Sequence, residues 1–132
     1  MMARVNWTCV SRRESVVMEK TDSSAHTDAP APYEVERRDR LVDRPGLRIT
    51  EFQIGPTQQV PWHTHTHVQD TFYVLEGEIR VSLREPEEDQ QLRSGAIFAV
   101  PRGRPHRVTN SGDRSATFLN LQHGEYDFVR QD

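Results

Sequence analysis

The stretch PWHTHTHVQD, residues 61–70, sets His63, His65 and His67 on alternate positions and follows them with a carboxylate, Asp70. In an extended strand, residues two apart point the same way and lie about 6.5–7 Å apart, so two imidazoles at that spacing can converge on one ion. His63 with His65 could chelate, or His65 with His67; a straight strand does not bring all three onto one small ion. A second stretch, GAIFAVPRGRPHRVTN at 95–110, reads as a strand, a Pro/Gly turn and a return strand, with His106 at the start of the return strand and pointing inward. Three neutral imidazoles and one carboxylate oxygen suit a divalent first-row ion such as Fe, Mn, Ni, Co, Cu or Zn, and suit Ca or Mg poorly.

These residues and spacings resemble the cupin family. Gly95, five residues, Pro101-x-Gly103, two residues, His106, three residues and Asn110 reproduce the family's second motif at every spacing. The first motif aligns on His63-x-His65, four residues, Asp70, six residues and Gly77, which leaves His67 in the gap before the acid. Two departures stand out. The family's Glu is Asp70 here, one methylene shorter, and seven residues separate Gly55 from His63, two more than the family has. The resemblance covers residues 45–122 and implies an all-β, single-domain double-stranded β-helix, a jelly-roll barrel with a metal in its mouth. It implies His63, His65, His106 and Asp70 as the ligand set, with His67 at the rim where the strand bends away. It further implies a homodimer paired through a sheet edge, and a metal-dependent enzyme acting on a small organic molecule as dioxygenase, isomerase, decarboxylase or lyase. Should Asp70 act as a catalytic acid or base instead of a ligand, isomerase or lyase chemistry is favoured. A non-catalytic sugar or small-molecule binding barrel is the alternative function.

Around the ligands, Phe72 has the parity of Asp70 and is the first candidate for a pocket wall, with Gln69, Phe118 and Asn120 as further substrate contacts. Phe118, Asn120 and Gln122 share one strand face, a polar ending for a core strand. Trp62, Tyr73 and Phe98 read as core aromatics, and His123 as a surface residue. Arg102, Arg104 and Arg107 flank the Pro/Gly turn, where they either meet an anionic substrate or form a solvated charged turn.

Short apolar runs rich in β-branched and aromatic residues must position these groups: LRITEFQI (47–54), TFYVLEGEIRVSL (71–83), GAIFAVP (95–101), HRVTN (106–110) and SATFLNLQ (115–122). Their length and spacing indicate an antiparallel sandwich or barrel. Glu76-Gly77 splits the second run into two halves joined by a tight hairpin. Its first half is apolar on both faces, Phe72 and Val74 on one and Tyr73 and Leu75 on the other, which predicts a strand covered on both sides. REPEEDQQ at 84–91 reads as a hairpin loop.

The whole chain of 132 residues is long enough for one barrel. Residues 1–32 end in a Ser, Asp, Ala and Pro mixture without an apolar face and are read as a flexible leader, with Met18 as a second possible start; residues 33–132 form the barrel domain. With 17 basic and 20 acidic side chains and no basic stripe, a nucleic-acid or anionic-membrane surface is excluded and a small-molecule partner fits. The single cysteine, Cys9, excludes an internal disulfide and a cysteine zinc site. No apolar run spans a bilayer, and a cytoplasmic, reducing compartment is the expectation.

Overall fold

The computed structural model describes residues 33–131; the expected leader, with Trp7 and Cys9, lies outside the described residues. The described chain is built of ten strands: β1 (Arg37–Arg44), β2 (Leu47–Ile54), β3 (Gln59–Thr64), β4 (His67–Glu76), β5 (Glu78–Leu83), β6 (Glu88–Arg93), β7 (Ile97–Val100), β8 (His106–Asn110), β9 (Ala116–Glu125) and β10 (Val129–Arg130). They form two five-stranded antiparallel sheets, ordered β1-β2-β9-β4-β7 and β10-β3-β8-β5-β6. Apart from the β1–β2 and β5–β6 hairpins, each connection crosses from one sheet to the other, so the chain winds as the expected double-stranded β-helix. No helix of the described residues is long and apolar enough to cross a membrane.

Cross-strand register explains how one end of the barrel becomes polar. In the first sheet the inward rows run Phe52, Phe118, Val74, then Thr50, Asn120, Phe72, then Arg48, Gln122, Asp70. In the second, Val60 pairs with Val108 and Val108 with Val81, while His63 pairs with His106 and His106 with Leu83. The buried apolar cluster of Ile54, Val74, Ile79, Val81, Val108 and Phe118 fills the closed end. Burying each such side chain contributes about 1.5–3 kcal/mol. The polar rows of both sheets meet at the opposite mouth.

Several expectations need correction. Glu76-Gly77 is no hairpin: β4 and β5 belong to different sheets, and Gly77 is the corner between them. Its φ of 80° suits glycine, and a Cβ there would meet the Ala116 Cα and the Ser115 carbonyl at 2.9 Å. The outer face of β4 is not covered by a second sheet, because Leu75 is exposed and Tyr73 only half-buried. Within 84–91 only the start is loop, since Glu88 already opens β6.

Candidate metal centre

Backbone irregularities aim the first two histidines. Along β3 both Val60 and His63 are buried although an odd step separates them. A register shift between them, at Pro61, which has no N–H for the ladder, resets the parity. His65 sits past the end of β3, in the turn into β4, and its carbonyl accepts the Gly103 N–H at 2.8 Å. Gly103, with φ of 82°, thus ties the Pro/Gly turn of the second histidine motif to the first. On β4 strict alternation takes over: Val68, Asp70, Phe72 and Val74 face inward, while His67 and Gln69 are exposed. His67 therefore leaves the cluster where the chain turns.

The four expected ligands come together. His63, His65, Asp70 and His106 are each no more than 2% exposed, and one ligand atom from each lies within 4.8 Å of the others. The Asp70 Oδ2 is 2.8 Å from His106 Nε2, 3.2 Å from His65 Nε2 and 3.9 Å from His63 Nε2. Each ring is fixed from behind by a backbone carbonyl: His63 Nδ1 donates to Pro61 O at 2.7 Å, His106 Nδ1 to Arg104 O at 2.8 Å, and His65 Nδ1 to Asp127 O.

That pattern sets the protonation chemistry. A carbonyl only accepts, so Nδ1 carries the proton in all three rings, and each neutral ring presents an Nε2 lone pair to the same carboxylate. Lone pairs facing an anion repel unless cations lie between them. Protonating a ring restores a hydrogen bond but buries an imidazolium, and one carboxylate can balance only one. Burial accordingly pushes His63 below its ordinary value, despite its contact with Asp70. For His65 the same burial is overcome by Asp70, which raises it. Burial pushes Asp70 upward too, but the three imidazoles hold it well below the usual carboxylate range. A divalent cation satisfies every group with the rings neutral. Bonds of about 2.0–2.2 Å put neighbouring ligands about 3 Å apart and opposite ones about 4.2 Å apart. The ligand atoms lie within 4.8 Å of one another, about 0.6 Å beyond that wider figure, so small side-chain adjustments let the residues fit such an ion.

Asn120, expected to contact substrate, instead donates from Nδ2 to Asp70 Oδ1 at 2.6 Å and so holds the carboxylate that faces the histidines. Phe118 is not a pocket wall; it is 1% exposed, with ring centroids 5.4 Å from Phe52 and 5.9 Å from Phe72, deep in the core. Gln69 points to the outer face, because it alternates with Asp70. Phe72 does reach the centre, its ring 6.1 Å from that of His106. The charged turn is solvated or paired: Arg102 is exposed, Arg104 binds the Arg84 and Pro86 carbonyls and Glu88, and Arg107 stands over Trp62 with Arg84.

Sequence reasoning missed the segment that covers the centre. Phe128 stacks on His63 with centroids 4.5 Å apart, and Tyr126 lies 5.6 Å from the His65 ring. They are placed by the pairing of β10 with β3, Arg130 opposite His63, and by the Asp127 carboxylate, which accepts the Thr66 N–H at 2.8 Å. An alternation of aromatic and acidic residues in EYDF was the one available signal.

Comparison with known proteins agrees with this architecture. Residues 50–121 match the cupin domain family. A germin-like protein of Arabidopsis thaliana, subfamily 2 member 1, is 30% identical over 77 residues, which are 56% of this chain and 35% of that protein. The chain thus spans about a third of the length of that curated relative. Among solved structures, a Klebsiella pneumoniae protein with a double-stranded β-helix domain superposes with a TM-score of 0.65 at 23% identity, over 79% of this chain and 90% of that one. The polyketide cyclase RemF of Streptomyces resistomycificus gives 0.63 at 24% identity, over 72% and 70%. With the family match extending over more than half of its length, and with the histidine motifs folded onto one buried site, the chain belongs to the cupin family.

Proposed function

We propose that this protein is a metal-dependent enzyme acting on a small organic molecule, with the Nε2 atoms of His63, His65 and His106 and the Oδ2 of Asp70 holding a divalent transition-metal ion. The observation that carries the reading is that all three Nδ1 atoms sit on backbone carbonyls while the three Nε2 atoms converge on one carboxylate oxygen, an arrangement that points three lone pairs at it. When bound, such an ion supplies Lewis acidity and open positions at which a chelating substrate or O2 can be held.

The chain's own residues prepare the reaction space. Asn120 fixes Asp70 through Oδ1, so both carboxylate oxygens are occupied and Asp70 acts as a ligand, not as the proton carrier. That favours oxygen-dependent or Lewis-acid chemistry over an isomerase in which Asp70 shuttles a proton. Phe72, Tyr126 and Phe128 shield the rings from water. Burial pushes the phenols of Tyr33 and Tyr126 upward, so both stay protonated. The protein is proposed to work as a homodimer, burying the outer face of the first sheet around Leu75 and Ile97, both exposed in the single chain.

Turnover tests the reading. The iron- or manganese-loaded chain, offered phenols, 1,3-diketones and uronates, is expected to consume O2 or convert one class, and to stop when chelator strips the metal. Metal-loaded protein that converts none of them, yet retains one by equilibrium dialysis, would instead mark a binding barrel.

A further inference from the structure

Three arginines point into the barrel beside the metal centre, and the metal-centre reading leaves them without a task. On β1 the register sets Arg38 opposite Phe52 and Arg40 opposite Thr50, both of which face inward. On β2 Arg48 stands opposite Gln122, which in turn stands opposite Asp70. Arg48 and Asp70 are thus two strands apart on one inner face, about 10 Å between Cα atoms, a gap that a long arginine side chain crosses most of the way.

The partners of these arginines differ from those of Arg37, which faces outward on the same strand. Outward-facing Arg37, the neighbour of Arg38, is matched by Asp39 at 2.6 Å and Glu51 at 3.0 Å. Of the inward three, Arg40 and Arg48 share a single carboxylate, Asp43, 3.5 Å from Arg40 Nη1 and 3.8 Å from Arg48 Nε, while Arg38 faces the rings of Tyr33 and Phe52. Arg38 Nη2, Arg40 Nε and Arg48 Nε are buried and make no hydrogen bond to protein; among the described residues the one other side-chain atom left so is Arg107 Nε, in the second sheet beside Trp62. Buried charged donors left so are costly and mark a place where an acceptor belongs.

Aromatic rings hold the guanidiniums in place. That of Arg38 lies 5.0 Å from the Tyr33 ring and 5.4 Å from Phe52. That of Arg48 lies 3.9 Å from the Tyr126 ring, which is itself 5.6 Å from His65. Arg48 and Tyr126 also line an open cleft with Asp43, Leu47 and His123, which gives a solute access to them.

We infer that Arg38, Arg40 and Arg48 form an anion-binding arm next to the metal centre, and that the substrate is an organic carboxylate whose charged end rests on this arm while its other end reaches the metal. The inference deepens the proposed function and rests on it for the second half only. Guanidinium forks match carboxylate oxygens two to two, and one neighbouring carboxylate, Asp43, leaves the arm with net positive charge.

Isothermal titration decides it, with malonate, succinate, glutarate and benzoate as probes, each against its neutral amide, on the full chain both zinc-loaded and stripped. At least one carboxylate is expected to bind the zinc-loaded chain about tenfold tighter than its amide. Arg40→Gln and Arg48→Gln are each expected to weaken it about tenfold or more with zinc content unchanged, and Arg48→Lys to keep part of the affinity. Carboxylates and amides that bind alike, no binding by any of the four acids, or Gln variants as tight as the parent overturn the arm. The stripped parent's preference for acid over amide, where no ion can cause it, decides without any variant, should one fail to fold. Carboxylate binding on a chain that takes up no zinc would sink the metal reading and leave the arm standing.

Discussion

Replacing Asn120 by Ala probes how the carboxylate ligand is held. The Asn120 amide gives Asp70 Oδ1 a 2.6 Å hydrogen bond, and both residues are buried, at 5% and 2% exposure. A hydrogen bond to a buried charge contributes about 1.5–3 kcal/mol, and water has no ready route to replace it. For a domain of about 100 residues, such a loss lowers Tm by about 10 °C in the metal-free protein. The effect on metal binding is separate. Without Asn120 the carboxylate is free to turn from the histidines, and the loss of such an outer partner costs about 10–100-fold in metal affinity. Competition with a chromophoric zinc chelator measures that change, and calorimetry the stability. Asn120→Asp should be worse for stability, since it sets a second carboxylate against Asp70. An Asn120→Ala chain that binds zinc within about twofold of the parent would refute the reasoning, because Asp70 would then need no holding.

Gly77→Ala is expected to destabilise by about 1–3 kcal/mol in a denaturant titration, as it adds a positive-φ penalty to a 2.9 Å clash with the Ala116 backbone. Zinc uptake should release a proton near pH 6.5 and less at pH 8: Asp70 raises His65 above its ordinary 6.5, so the metal-free ring holds a proton there that the ion must displace. The sign for stability follows. The protonated His65 with Asp70 stabilises the metal-free fold below pH 6.5, and that stabilisation fades as pH rises through the raised value, so the Tm gain on zinc binding should widen from pH 6 to pH 8. Calorimetry in buffers of different ionisation enthalpy checks the proton count. Light scattering at micromolar concentration should give a dimer for the parent and a monomer for Ile97→Glu, whose parent side chain is 64% exposed on the outer face; a monomeric parent would remove the dimer.

Much of the fold was legible because its inner faces alternate: LRITEFQI became β2 at its full length, and HRVTN became β8. The strands that no apolar run marks lack that signal for physical reasons. Inward positions of β1 carry Arg38 and Arg40 in place of apolar residues, β3 holds Pro61 at a register shift, and β6 buries only Leu92. The ligand set was visible because the histidines and Asp70 keep the family's spacings to glycines and a proline that shape the turns, as Gly103 does for His106, and the Gly103 N–H also reaches the His65 carbonyl. Pocket residues were harder to read. Alternation sends Gln69 outward, depth buries Phe118, and Tyr126 and Phe128 reach the centre only through a long-range pairing of two residues with β3. The arginine arm hid for the same reason as β1: charge on an inner face looks like surface until its partner strand is known.

Four buried side chains, His63, His65, Asp70 and His106, are proposed to bind one metal ion. Equilibrium dialysis of the full chain against Mn(II), Fe(II), Co(II), Ni(II) and Zn(II), followed by elemental analysis, measures it most directly. About one tightly held ion per chain is expected, lost in His106→Ala and Asp70→Ala and kept in His67→Ala, whose ring is exposed and outside the cluster. A parent chain that retains no ion, or a His106→Ala chain that retains it as well as the parent, would contradict the account.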